Sequence, residues 1–310
     1  MKPALSVILF TVASGAGLGL LIWLALMIVI AAPLDSRAFT RALMIAAALI
    51  TVGLLSSTLH LANPRNAWQS FRRFGSSWLS REAVFAVLLY PVALAMAWSV
   101  PRGGWLALLL SSAVILLAAA ILLSTAMIYA CLKTVPHWNN WHTRNGLPLF
   151  GLMSGGLLVL ACWPMLLIER PVRIIVIALL IAGLALKYSY YLSYRRMGDS
   201  APSANEALKL GIDAQTGQIN ARVRLLDVGH AHGTFLTREF GYEVPRTRVL
   251  WLRLMALSLG FVLPIVVLLW WPGLPLLALI SCISGLLVER WLFFAEARHV
   301  VRRYHGQSMH

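Results

Sequence analysis

Apolar residues run in eight long blocks along the chain, near Ala4–Ala32, Ala42–Leu61, Ala83–Val100, Trp105–Leu132, Leu147–Ile168, Ile174–Tyr194, Val249–Trp271 and Leu274–Val300. Each is about as long as the roughly 20 residues a helix needs to cross a hydrocarbon core. Turn residues punctuate them: Pro33, Asn63-Pro64, Pro101 to Gly104, Asn145-Gly146, Pro171 and Pro272-Gly273. In lipid a backbone has to satisfy its own polar groups, and at this block length only helices do so. The pattern therefore predicts an all-α integral membrane protein with about eight transmembrane helices in one bundle, residues 1–310 forming a single transmembrane domain. The first block is too long for the short apolar core of a secretory signal and predicts a retained helix.

Composition agrees, with 60% hydrophobic and 12% charged residues. The formal net charge is +15, but the basic residues fall between the apolar blocks rather than on one face, which speaks for topology and anionic lipid contacts and against nucleic acid. Lys2, Arg65, Arg72, Arg73, Arg81, Lys133, Arg144 and the end of the chain fall on one side of the membrane. Fewer basic residues, among them Arg37, Arg41, Arg102, Arg170 and Arg173, fall on the other. The positive-inside rule then predicts cytoplasmic termini and an inner-membrane, multi-pass protein. The long polar connection 195–248 lies on the same basic side. It is too poor in apolar residues to form a core of its own and is expected to be held by another protein.

Cys131, Cys162 and Cys282 lie far apart, with no spacing for a metal site or an iron–sulfur cluster in this chain. Of the histidines, only His60 and His299 fall near apolar blocks, so facing pairs for a b-type haem are not apparent. The pair His230 and His232 lacks companion ligands for a metal.

Ionisable residues at bilayer depth are expensive and mark function by default. The blocks are nearly clean of them, with the last as the exception. His60 and Glu82 stand at adjoining ends of the second and third blocks, and between them Trp78, Arg65 and Arg81 belong to a basic, aromatic interfacial stretch that can cover the mouth of a pocket. Read separately, His60 is a helix-end residue and Glu82 an acid placed against a helix dipole, with Ser80 as its cap. Read together, a histidine and a carboxylate at the membrane edge suit a ligand that exchanges protons and offers two carbonyl oxygens, and a quinone is such a ligand. In the last block Glu289 and Glu296 share a face, so the stretch reads either as an ion-paired helix or as a polar wall opposite His60 and Glu82, with Phe293 and Phe294 against a flat ring. A transporter or proton channel is the alternative from another class, although no inverted repeat is visible.

Leu59-His-Leu-Ala-Asn-Pro-Arg65, Leu79-Ser-Arg-Glu82, Tyr129 with Thr134-Val-Pro136 and Trp138, and Arg290-Trp-Leu-Phe-Phe294 resemble, in order and spacing, the dimethyl sulfoxide reductase membrane-anchor subunit family. The resemblance implies a haem-free anchor that binds ubiquinone or menaquinone at His60 and Glu82, with Arg290 beside them. It also implies an iron–sulfur electron-transfer subunit and a molybdopterin catalytic subunit as partners, which carry the iron–sulfur clusters and the molybdenum bis-pterin cofactor. The stretches Thr237 to Gly241 and Glu289 to Glu296 are similar to anchors of sulfite dehydrogenases, which implies a sulfite:quinone oxidoreductase. An anchor of a dimethyl sulfoxide or related S- or N-oxide reductase that oxidises menaquinol is the alternative within the family.

Overall fold

A computed structural model of the chain describes residues 3–32, 35–58, 71–163, 169–199 and 246–298. Among these residues eight helices are long and apolar enough to cross a membrane. They are α1 (Leu5–Val29), α2 (Ser36–Thr58), α3 (Trp78–Ser99), α4 (Gly104–Ala130), α5 (Trp141–Cys162), α6 (Glu169–Asp199), α7 (Arg248–Trp270) and α8 (Pro275–Ala295). The all-helical bundle is thus as the block pattern predicts.

Several boundaries differ from that pattern by about five or six residues, α2, α3, α5 and α6 starting before their apolar blocks. Helix α5 starts six residues before its apolar block, because the Asn140 side chain accepts a hydrogen bond from the Thr143 backbone N–H at 3.0 Å and caps a polar first turn. Helix α8 stops at Ala295, with Glu296 as its C-cap, short of the expected Val300. Helix α7 is interrupted by a π-helical stretch, Ser258–Val262.

The bundle is built around α1. Of its span 83% is buried, against 22% for α3, and it packs on α2, α4, α5 and α8. Helix α3 leans on α4, and α6 lies against α5 and α7. Lipid cannot drive helices together as water does, so close backbone approach and dispersion have to hold them. Two glycine steps supply that approach: a Cβ on Gly19 would stand 1.9 Å from the Gly151 carbonyl oxygen, and one on Gly155 would stand 2.2 Å from the Gly19 carbonyl carbon. Trp23 reinforces the seam by donating its indole N–H to the Leu152 carbonyl at 2.9 Å. On the outer faces Leu94, Trp105, Leu116 and Trp270 are exposed, as lipid-facing residues should be.

Cross-helix contacts show which ends lie together. The Ser56 hydroxyl donates to the Ser6 carbonyl, Trp138 to the Phe293 carbonyl, and Tyr194 to the Glu296 carbonyl. The starts of α1, α3, α5 and α7 therefore share one face with the ends of α2, α4, α6 and α8. That face carries every candidate site residue that the structure describes.

Candidate functional site

Helix α3 is capped by Ser77, whose side chain accepts from the Ser80 N–H at 3.4 Å. Ser80 is not the cap: its hydroxyl is buried, with no hydrogen-bond partner among the described residues. Glu82 does not sit in the exposed first turn against the dipole. It is buried, 3% exposed, and turned toward α4, where the Thr125 hydroxyl donates to its Oε1. The same hydroxyl also lies 3.0 Å from the Ile121 carbonyl, which fixes its rotamer on α4. Among the described residues Glu82 has this hydrogen bond and no ion pair.

One turn beyond Thr125 stands Tyr129, within electrostatic range of both the Glu82 carboxylate and the Arg290 guanidinium. Its ring meets Trp138, Phe293 and Phe294 edge-on at 5.5, 5.6 and 5.5 Å. Trp138 is not an interfacial belt residue. It folds inward, stacks on Phe293 at 5.5 Å and donates its N–H to the Phe293 carbonyl at 2.9 Å. Tyr129 thus stands between the start of α3 and the end of α8, against an aromatic wall.

Arg290 and Glu289 are both buried, and Glu289 accepts from Arg290 Nε and, at 2.8 Å, from Nη2. Lys187 of α6 reaches the same carboxylate at 2.5 Å. The expectation that the spans before the last are nearly clean therefore fails at Lys187, which lies inside α6 and is 3% exposed. Its ammonium also lies over Tyr190 and Tyr191, 4.2 and 4.9 Å from the ring centres, so a carboxylate and two aromatic faces together meet the buried charge. Glu296 is held separately by Arg253 at 2.8 Å. Of the two readings of the last block, the described contacts realise the ion-paired helix.

Two small cavities border Arg290, one of about 20 Å³ near Thr11, Phe150 and Ser154, the other of about 10 Å³ near His142, Lys187 and Glu289. Both are water-sized.

The model of the DMSO reductase anchor subunit family (DmsC) matches residues 1–295. The chain belongs to that family. The anchor is 28% identical to a sulfite dehydrogenase subunit of Allochromatium vinosum, across 98% of this chain and 99% of the relative. It is also 28% identical to the anaerobic dimethyl sulfoxide reductase chain YnfH of Escherichia coli, across 41% of this chain and 45% of that one.

In the anchor, then, the structure brings Glu82, Arg290, Phe293 and Phe294 around Tyr129, a residue that the sequence reading quoted in a motif without assigning to the site. Trp78 and Arg81 lie at the start of α3, where Arg81 stacks over Trp78 at 4.3 Å and donates to the Phe74 and Gly75 carbonyls at 3.0 and 2.8 Å. Arg81 thus ties the turn before α3 to the helix. His60, Arg65, His299 and residues 200–245 of the long connection lie outside the described residues.

The sequence reading also missed His137 and His142 of the anchor, both buried. The His137 ring packs against Tyr194 at 4.3 Å, and burial together with the nearby Arg298 and Arg253 pushes its pKa down from 6.5 to about 4. Because the folded value is depressed, the folded state resists the proton that the unfolded chain takes up. Stability is full above the unfolded pKa of about 6.5 and falls as pH drops from there toward 4, by up to about 3 kcal/mol. Thermal unfolding of the detergent-solubilised anchor should therefore show a steeper loss between pH 7 and 4.5 than the His137→Phe variant. Equal slopes would discount the buried neutral imidazole.

Proposed function

We propose that the anchor passes electrons between an iron–sulfur subunit and a membrane quinone, with Glu82 as the proton-exchanging group of the quinone site. The observation that carries this reading is the buried Glu82 carboxyl, held by Thr125 and set across Tyr129 from Arg290. A quinone takes up or gives off two protons with its two electrons, so its site needs a carboxyl that ionises at the membrane edge and donors for its carbonyl oxygens. The residues fit that need. Glu82 supplies the proton, Tyr129, Phe293 and Phe294 supply a wall for a flat ring, and Arg290 keeps Nη1 without a partner among the described residues. The two cavities beside Arg290 are water-sized and too small for the ring. His60, from the sequence motif, completes the proton-exchanging pair.

The ends of the helices that carry this site also carry the basic loops. On the positive-inside rule that face is cytoplasmic, and it is the platform for the iron–sulfur subunit and, through it, the molybdopterin subunit. Placing the quinone beside the platform removes the need for a haem relay across the bilayer. Sulfite is the favoured substrate of the complex, because the sulfite dehydrogenase relative aligns over the full length of both chains and the dimethyl sulfoxide reductase chain over less than half.

Mass spectrometry of the native complex, followed by assay of its membranes, tests the reading. Co-purifying molybdopterin and iron–sulfur chains with sulfite-dependent quinone reduction are expected. A complex that oxidises quinol with dimethyl sulfoxide and ignores sulfite would overturn the substrate, and an anchor isolated without either partner chain would overturn the whole assignment.

A further inference from the structure

A buried ion pair is closed by one cation and one anion. Here one carboxylate, Glu289, meets two cations, Lys187 at 2.5 Å from α6 and the neighbouring Arg290 on α8. Of the other carboxyls on this face, Glu296 is engaged by Arg253 and Glu82 lies beyond Tyr129 against Thr125, so with its members charged the three-residue group keeps one net positive charge while almost wholly removed from solvent. Such a charge is costly to bury unless something completes it.

The geometry of the group shows where it is incomplete. Glu289 takes two nitrogens of the guanidinium, Nε and Nη2, in a bidentate grip that fixes the plane of the fork. The rings of Phe293 and Phe150 stand 4.5 and 5.5 Å from its central carbon and bar it from swinging. Nη1 is left buried and without a partner among the described residues. Lys187 is in turn fixed over Tyr190 and Tyr191. Successive residues on a helix point about 100° apart, so Glu289 and its neighbour Arg290 face one gap only if both lean toward it. The ammonium on α6 draws the carboxylate to that place.

We propose that Lys187 and Glu289 are positioning residues that hold the Arg290 guanidinium as a fixed cation for the electron-rich oxygens of the quinone head, an inference that rests on the quinone reading above. The clamp supplies the preorganisation: the cation is in place before the ligand arrives, and the net charge left over is met by ligand oxygen. Glu289 grips Arg290 directly and Lys187 holds Glu289, so the loss of either weakens quinone binding through the arginine.

The test uses the whole complex in native membranes, with a short-chain ubiquinone analogue as the probe and a soluble dye as the quinone-independent acceptor. Dye-linked turnover reports that each variant has assembled. Loss of a charged hydrogen bond to the ligand in Arg290→Gln should raise the quinone KM by about 10- to 100-fold. Glu289→Asp, which keeps the charge and shortens the reach, and Lys187→Met should each raise KM about tenfold with a smaller change in kcat. Lys187→Arg should restore a KM near that of the wild type. If Arg290→Gln raises KM while Glu289→Asp and Lys187→Met leave it unchanged, the clamp is wrong and the quinone reading of Arg290 stands. If Arg290→Gln itself leaves KM unchanged, the place of Arg290 at the quinone site falls, and the clamp falls with it. Should Lys187→Met fail to assemble, the charge-conserving Glu289→Asp and Lys187→Arg pair decides between these outcomes.

Discussion

A complex carrying Glu82→Gln in its anchor is expected to assemble normally and to lose about a hundredfold or more in quinone-linked turnover, the usual range for removing a proton-transferring group. Glutamine fills the same volume and can still accept from the Thr125 hydroxyl, so the packing of α3 on α4 is kept. What it cannot do is take and release a proton. His60→Ala is expected to impair the same reaction by the same logic. The comparison that decides is the ratio of quinone-linked to dye-linked rate in one membrane preparation. A ratio equal to the wild type's in both variants would remove Glu82 and His60 from the reaction.

The largest structural effect is expected from Gly19→Val. Any Cβ at this position lies 1.9 Å from the Gly151 carbonyl oxygen, closer than atoms can approach, and the obstacle is backbone that cannot rotate away. Helices α1 and α5 would have to separate along the whole seam, giving up the Trp23 bond to the Leu152 carbonyl and the mutual approach of Gly19 and Gly155. Overpacking a side chain in a core costs about 1–3 kcal/mol, and here the cost is expected to exceed that range because no side chain can yield. Gly75→Val, where an added Cβ meets nothing within 4 Å, is the matched control. The yield of folded anchor in detergent, by size-exclusion profile, measures both. A monodisperse Gly19→Val protein at wild-type yield would contradict the packing of α1 on α5.

Hydropathy alone was enough to see the eight helices, because the hydrocarbon core imposes one length and one polarity on every span. It was not enough for the interior. Lys187 interrupts an apolar block that stays strongly apolar on average, and nothing local says whether such a lysine reaches outward or folds in. Its carboxylate partner stands 102 positions along the chain, on α8. Trp138 and His137 follow a proline at a helix end, where aromatic and polar residues ordinarily mark the membrane surface. The return of α6 and α8 to the same face buries them, His137 against Tyr194 and Trp138 against Phe293. The glycine steps are plain in the sequence as Gly15 and Gly19 with Gly151 and Gly155, four apart on each helix, and the small-residue spacing was the signal that a reading by apolar blocks passes over. Glu82 and Arg290 were found because an acid at the edge of an apolar block and an arginine inside one are both rare. Thr125, the partner that defines the state of Glu82, carries no such mark.

The central place of α1 has a consequence for synthesis. This helix precedes all of its partners in the chain, yet two of the surfaces that cover it, α5 and α8, are translated long after it has entered the membrane. Until α5 arrives, the backbone around Gly15 and Gly19 lies open to lipid tails, a face that binds nothing there and pairs readily with the wrong helix. Arg290 rides on α8, the last of the eight described spans in chain order. On the quinone reading, a nascent anchor therefore gains its site and its final burial of α1 in the same event, and a chain stopped short of α8 is expected to be both inert toward quinone and visible to membrane proteases.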